Sequence, residues 1–246
     1  MRPVVPDLNY YRAIHGSVDC RNIKEVKQNI VKDRLRQDFL ESINCEYDAK
    51  RNGKPQKFIV TKTDRETAMD IHAFPDEDLQ VGDMIDCYDQ KWIVTDMYAT
   101  NTLHYSGLME QCNHLFRFQN GTSDIYEYWG VLDSGVYSTT EKYTDYIIYP
   151  DQQFKVFLPY NEHTMKMYEG KRLATEMVYN NEGLPELVCF TITAIVTETY
   201  HYRQGKLLEL KLRSDKYRPE KDNVELGICD YIAPNSIDPS ATGGWL

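Results

Sequence analysis

The sequence predicts a mainly β protein: one N-terminal helix followed by one or two β-barrel or sandwich-like subdomains. Three observations lead there. Short runs of alternating, β-branched or aromatic residues recur along most of the chain, with Met84 to Tyr88 and Trp92 to Thr95 the clearest. Turn chemistry punctuates them at Val81-Gly82-Asp83, Asp89-Gln90, Gln119-Asn120-Gly121 and Asn180 to Pro185. Helical spacing of apolar residues is confined to one stretch, between Ile23 and Ile43. With 246 residues, 41% of them hydrophobic, the chain can bury a core without covalent staples.

In chain order, Met1 to Ser17 holds Pro3, Pro6 and Gly16 without periodicity and reads as an extended lead. Asn22 then caps a helix, with Glu25 placed three residues on to reach back. Ile23, Val26, Ile30, Leu35, Phe39, Leu40 and Ile43 give that helix an apolar face, and it ends before Asn52-Gly53. Residues 1–53 therefore form a lead plus helix, 54–150 a first β unit, 151–214 a second, and 215–246 a tail. Strands are expected over Lys57 to Thr63, Thr67 to Phe74, Met84 to Tyr88 and Trp92 to Thr95. A single long extended run follows from Leu108 to Phe118, then Ile125 to Leu132. The second unit contributes Phe154 to Leu158, Lys171 to Tyr179, a long strand from Glu186 to Tyr202 that must bend or bulge, and Gly205 to Arg213.

One echo links the units. Trp92-Ile93-Val94-Thr95 followed by Gly107 aligns, at a constant offset of 98, with Phe190-Thr191-Ile192-Thr193 followed by Gly205, which points to two similar small β structures.

Charge is uneven. Met1 to Lys62 carries 13 Lys and Arg against 8 Asp and Glu, while the remainder carries 15 against 30, so a basic arm precedes an acidic body. Such a body disfavours nucleic-acid binding, which needs clustered cations. Arg34 and Arg36 make the arm a candidate for docking on an acidic neighbour. No apolar run approaches the roughly 18 to 20 residues of a membrane span, and Met1-Arg2-Pro3 leads into no signal peptide, so cytoplasmic synthesis is expected.

The chemistry-bearing residues are scattered. Cys20, Cys45, Cys87, Cys112, Cys189 and Cys229 form no CxxC pair and have no histidine at ligand spacing, so neither disulfide, zinc nor any other cofactor is assigned. The acidic loop Phe74 to Leu79 lacks the alternating ligands of a calcium-binding EF-hand. Val131-Leu132-Asp133-Ser134-Gly135 matches the core of an aspartic-protease loop, with Asp133 as the acid, and is equally a plain turn sequence. A ligand-binding β module is a further alternative, with no pocket named. No catalytic residue is assigned.

The runs QKWIVTDM, YSGLMEQCNHLFRFQNG, FKVFLPYNEHTMKMYEGKRLAT and the Gly205 to Ser214 strand resemble a family of tailed-bacteriophage virion structural proteins of gut and Gram-positive hosts; the segment FLESINCEYDAKRNGKPQKFIV does likewise. The likeness spans about Phe39 to Ser214. It implies a non-enzymatic head-closure or head-tail connector subunit, assembled as a homo-oligomeric ring in the virion neck after synthesis in the host cytoplasm. A portal or adaptor would contact one side and a tail protein the other, with DNA passing through unread and no membrane involved. A tail-terminator or distal-tail ring is the alternative within the same setting. Nineteen tyrosines suit such interfaces. The linker around Tyr98, Leu103, His104 and Tyr105, together with Trp245 near the end of the chain, supplies the candidate contacts.

Overall fold

The computed structural model describes residues 23–98, 103–133, 153–197 and 205–234. It is mainly β, with one helix near the N-terminus followed by two curled, barrel-like sheets.

The first sheet comprises β1 (Cys45–Glu46), β2 (Lys50–Arg51), β3 (Lys54–Pro55), β4 (Phe58–Lys62), β5 (Ala68–Ala73), β6 (Met84–Cys87), β7 (Gln90–Met97) and β8 (Ser106–Gln111). Their order is β1-β4-β5-β8-β7-β6-β2-β3. Connectivity forces the curl. In a flat sheet, β1 and β2 would lie about 29 Å apart at the usual strand spacing. The link from Glu46 to Lys50 spans at most about 15 Å. The edges must therefore roll together. Alternation then turns Phe58 and Val60, Ile71 and Ala73, Ile85 and Cys87, and Trp92 and Val94 inward, where they pack with Leu79 and Met109. The β6–β7 hairpin turns on Tyr88-Asp89, both at positive φ (55° and 57°), one residue earlier than the expected Asp89-Gln90.

The second sheet comprises β9 (His114–Phe118), β10 (Tyr126–Asp133), β11 (Gln153–Pro159), β12 (Arg172–Tyr179), β13 (Pro185–Val196) and β14 (Leu207–Asp215). Its order is β12-β13-β14-β11-β10-β9, and the two edge strands approach each other, so it too curls. Phe116, Phe118, Val156, Leu158, Leu173, Phe190, Ile192, Leu208, Leu210 and Leu212 fill it.

The expected single run from Leu108 to Phe118 is two strands in different sheets. Cys112 still donates its amide to Lys91 O in the first sheet (2.8 Å). Asn113 belongs to the second: its amide reaches Gly130 O (3.1 Å), and its side chain brackets Leu132 with two bonds of 2.8 and 2.9 Å. Strands β9 and β10 therefore pair within the second sheet, and the changeover lies at Cys112-Asn113. Val81, Ile93, Cys112, Val131 and Leu207 seal the junction. Backbone approaches backbone there so closely that a Cβ on Gly82, itself at φ 87°, would meet Lys206 O at 2.1 Å.

The internal echo has a structural counterpart in part. Both β7–β8 and β13–β14 bulge at the aligned threonine, between Val94 and Asp96 and between Ile192 and Ala194. Thr95 Oγ1 donates to Leu108 O (3.5 Å) and Thr193 Oγ1 to Lys211 O (3.1 Å), each reaching the residue paired with its successor. The glycines do not correspond: Gly107 pairs with Met97 inside β8, whereas Gly205 precedes β14 and abuts Val81.

The helix, α1 (Ile23–Glu41), forms where expected, but only its C-terminal part is docked. Phe39 and Leu40 pack on Cys45, Ile59 and Phe74. Ile30 and Val31 are about half exposed, because the helix leans on the loop after β5 and leaves part of its surface uncovered; Ile43, expected on its apolar face, falls in the turn after Glu41 and is almost wholly exposed. No described helix is long and apolar enough to cross a membrane.

Candidate functional site

The β12–β13 hairpin is the feature most at odds with a self-contained barrel. Successive residues of a strand face opposite sides, so a strand packed on a body buries every second one. Arg172, Leu173 and Ala174 are buried; beyond the bulge at Ala174/Glu176, the next four residues, Glu176, Met177, Val178 and Tyr179, are all exposed. The outer half of β12 thus has both faces in solvent, while across the ladder Leu187, paired with Met177, stays buried with Ala174, Cys189 and Cys229. Tyr179 is 69% exposed and Leu184, across the turn, 56%. The arm is nonetheless well ordered by its own bonds. The Asn180 side chain accepts the amides of Glu182 and Leu184 (2.9 and 3.0 Å) and donates to Glu186 (2.7 Å), and Gly183 takes the positive φ that the turn requires.

The root of the hairpin is held by a buried cation. Arg172 forms a two-bond fork to Asp222 (2.7 and 2.9 Å) and reaches Asp215 (2.8 Å), Asp230 (3.2 Å) and Lys216 O (2.6 Å). Burial pushes Asp222 up, but the fork from Arg172, the amides of Asp230 and Arg218 and the guanidinium charge outweigh it and hold the carboxyl below its ordinary value. Residues 216–234 are thereby fastened to the second sheet. Gln119 adds a second tie, accepting Ile232 N (2.7 Å) and donating to Ile232 O (3.0 Å). Among the described residues, Cys189, Asp222 and Cys229 gather donor atoms within 4.8 Å of one another, yet both Asp222 oxygens already serve Arg172.

An open cleft of about 740 Å³ lies between the sheets, lined by residues from both, Trp129, Tyr128, Tyr160 and Lys206 among them. Its carboxylates are engaged: Asp83 with Arg51 and Asn52, Asp86 with Lys91, Glu127 with Arg117. Lys206 sits over the Tyr160 ring at 5.1 Å. Each of these pairings lies within one unit, so both walls of the cleft satisfy their own charges.

The sequence-selected contact residues scatter. Tyr98 is exposed and donates its hydroxyl to Asp70. Leu103, His104 and Tyr105 are half buried: His104 lies 5.3 Å from the Phe39 ring and 5.7 Å from His72, and Tyr105 packs on the first core. Residues 99–102 lie outside the described chain, as does Trp245. Arg34 and Arg36 are both exposed on α1, and Arg36 reaches Pro75 O (2.9 Å) and Asp76 (3.9 Å). The acidic loop therefore receives the helix: Asp76 also bonds Lys32, and Asp78 bonds Arg51 (3.3 Å). Asp133 ends β10 exposed, opposite Lys155; Ser134 and Gly135 are outside the described residues. Sequence reasoning missed the exposed outer half of β12 and Arg172. The first was signalled by Met177-Val178-Tyr179, apolar on consecutive positions instead of alternate ones. No family model, curated protein or solved structure matches the chain.

Proposed function

We propose that this chain is a non-enzymatic ring subunit of a tailed-phage neck, closing the head and joining the portal or adaptor to the tail. The segments that resemble phage virion proteins supply the setting. The observation that carries the assembly reading is the outer half of the β12–β13 hairpin, where Met177, Val178, Tyr179 and Leu184 place apolar side chains in solvent and β12 is exposed on both faces. Apolar surface of that kind is costly in water unless a partner covers it. A hairpin that reaches from one subunit onto a different surface of the next makes a heterologous contact, which closes into a ring when the rotation permits. The exposed Ile30 and Val31 of α1 offer a second apolar surface on the same chain.

Two experiments test the reading. Tyr179→Asp, on a residue that touches no core, is expected to leave the fold intact by circular dichroism while abolishing higher oligomers in light scattering. Unchanged oligomers, or a wild-type monomer at every concentration, would remove the hairpin's role. Phage lacking the protein are expected to package DNA into heads that then leak it while complete tails accumulate separately; full heads beside absent or overlong tails would assign a tail ring instead. The protease alternative falls with Asp133→Asn, which is expected to leave assembly and infectivity near normal.

A further inference from the structure

Two buried thiols meet beside the Arg172 cluster, and the ring reading makes no use of them. Cys189 lies in β13 and Cys229 in the segment 216–234, forty residues apart, with Cys229 Sγ donating to Cys189 Sγ at 3.3 Å. A disulfide needs a sulfur separation of about 2.0 Å, so the pair must close by only about 1.3 Å. We propose that Cys189 and Cys229 form a redox-active dithiol that a small-molecule disulfide of the glutathione type converts into a cross-link, tying 216–234 covalently to the second sheet.

The surroundings favour a dithiol over a metal centre. A tetrahedral thiophilic cation would need four donors. The one carboxylate beside the thiols has both oxygens committed to Arg172, whose own positive charge would face the cation. The hydrogen bond from Cys229, with a smaller pull from the Arg172 charge, draws the Cys189 thiol below its ordinary value against burial and the Asp222 carboxylate. Burial closes the pair to solvent, so oxidation waits on the lifting of 216–234, a segment that adds no strand to the second sheet and is held to it by the side chains of Arg172 and Gln119. Lifted, Cys229 is free to attack. Its thiolate forms a bond to one sulfur of the oxidant and expels the other as a thiolate, which takes up a proton. Cys189, its proton lost to solvent while the segment is lifted, attacks the Cys229 sulfur as the segment re-docks and expels the second small thiolate, which takes up a proton. Two protein thiols are oxidised by two electrons and one disulfide is reduced to two thiols.

The full chain, folded and reduced, is incubated with oxidised glutathione, quenched with N-ethylmaleimide and mapped by mass spectrometry. The expected product is a Cys189–Cys229 cross-linked peptide, with proteolysis inside 216–234 slowed at least about tenfold and restored by dithiothreitol. Cys189→Ser and Cys229→Ser should each trap a glutathione adduct on the remaining thiol and form no cross-link; circular dichroism verifies that each serine variant is folded. Two fully alkylatable thiols after treatment, adducts confined to other cysteines, or stoichiometric zinc binding that shields both residues would each overturn the proposal. Failure here leaves the ring reading standing, because no oligomer measurement enters it.

Discussion

The two β units share a bulged hairpin yet secure their outlying segments by opposite means. The first receives α1 through ion pairs at the surface, Lys32 and Arg36 with Asp76, and one half-buried ring, Phe39 against Phe74 and His104. The second receives 216–234 through Arg172, whose side chain is 2% exposed, and Asp222, whose side chain is fully buried. Surface ion pairs lose most of their attraction to solvent and salt. A buried pair contributes little compared with an apolar replacement, but removing one partner strands the other charge in a dry site. The contrast is therefore between an attachment that loosens gradually and one that fails when a single atom group is lost.

Arg172→Met is the strongest way to break that contrast, with an expected cost of about 3–5 kcal/mol in the second unit because Asp222 stays buried without its cation. Adding Asp222→Leu should recover much of it. Chemical denaturation of the single and double variants checks both, and equal stability of the two would show that the ion pair is not what holds the segment.

Gly82→Ala tests whether the units are joined as rigidly as their ends suggest. The residue is at φ 87° and a Cβ there would meet Lys206 O at 2.1 Å, so strain and overlap together should cost about 3 kcal/mol. The loss should register in the junction around Val81 and Leu207 by hydrogen exchange, leaving both interior cores protected.

Acid should separate the two attachments. Burial lowers His72 and His104 below the ordinary histidine value, against the pull of Asp70 on His72 and with the repulsion of His72 on His104. Their support for the α1 dock is complete above about pH 6.5 and is lost as pH falls from there to their lowered folded values, since the undocked state binds the proton more readily. Asp222 and Asp215 are also held below their ordinary value, burial raising each but the bonds they accept prevailing. For carboxylates that stability is present above about pH 3.9 and disappears as pH falls through the lower folded values. Exchange rates at pH 7, 5 and 3 should show α1 released first and 216–234 last. Release in the reverse order would refute the assignment.

Lys32→Ala is the smallest effect expected, under about 1 kcal/mol and vanishing in high salt, because its partner Asp76 is more than half exposed. A loss as large as that of Arg172→Met would erase the distinction between the two attachments.

Residue order alone determined the local elements: the alternation of Ile85, Cys87, Trp92 and Val94, the turn chemistry of Asn180 to Pro185, and the helix over Ile23–Glu41 are written in neighbours a few positions apart. It also carried the bulge in β13, required by the length of the Glu186 to Tyr202 run, whereas the matching bulge at Thr95 emerged only with the fold. Even the change of sheet left a trace, for the inward residues Met109 and Phe116 are an odd number of positions apart and no unbroken strand keeps both on one face. Partners distant in sequence were not legible. Arg172 reads as one more cation until folding brings Asp215, Asp222 and Asp230 around it, and Cys189 and Cys229 read as isolated thiols until β13 and the C-terminal segment meet. Period and turn propensity act over a few residues, whereas charge pairing, sheet closure and the exposure of the outer half of β12 depend on which segments the whole fold brings together.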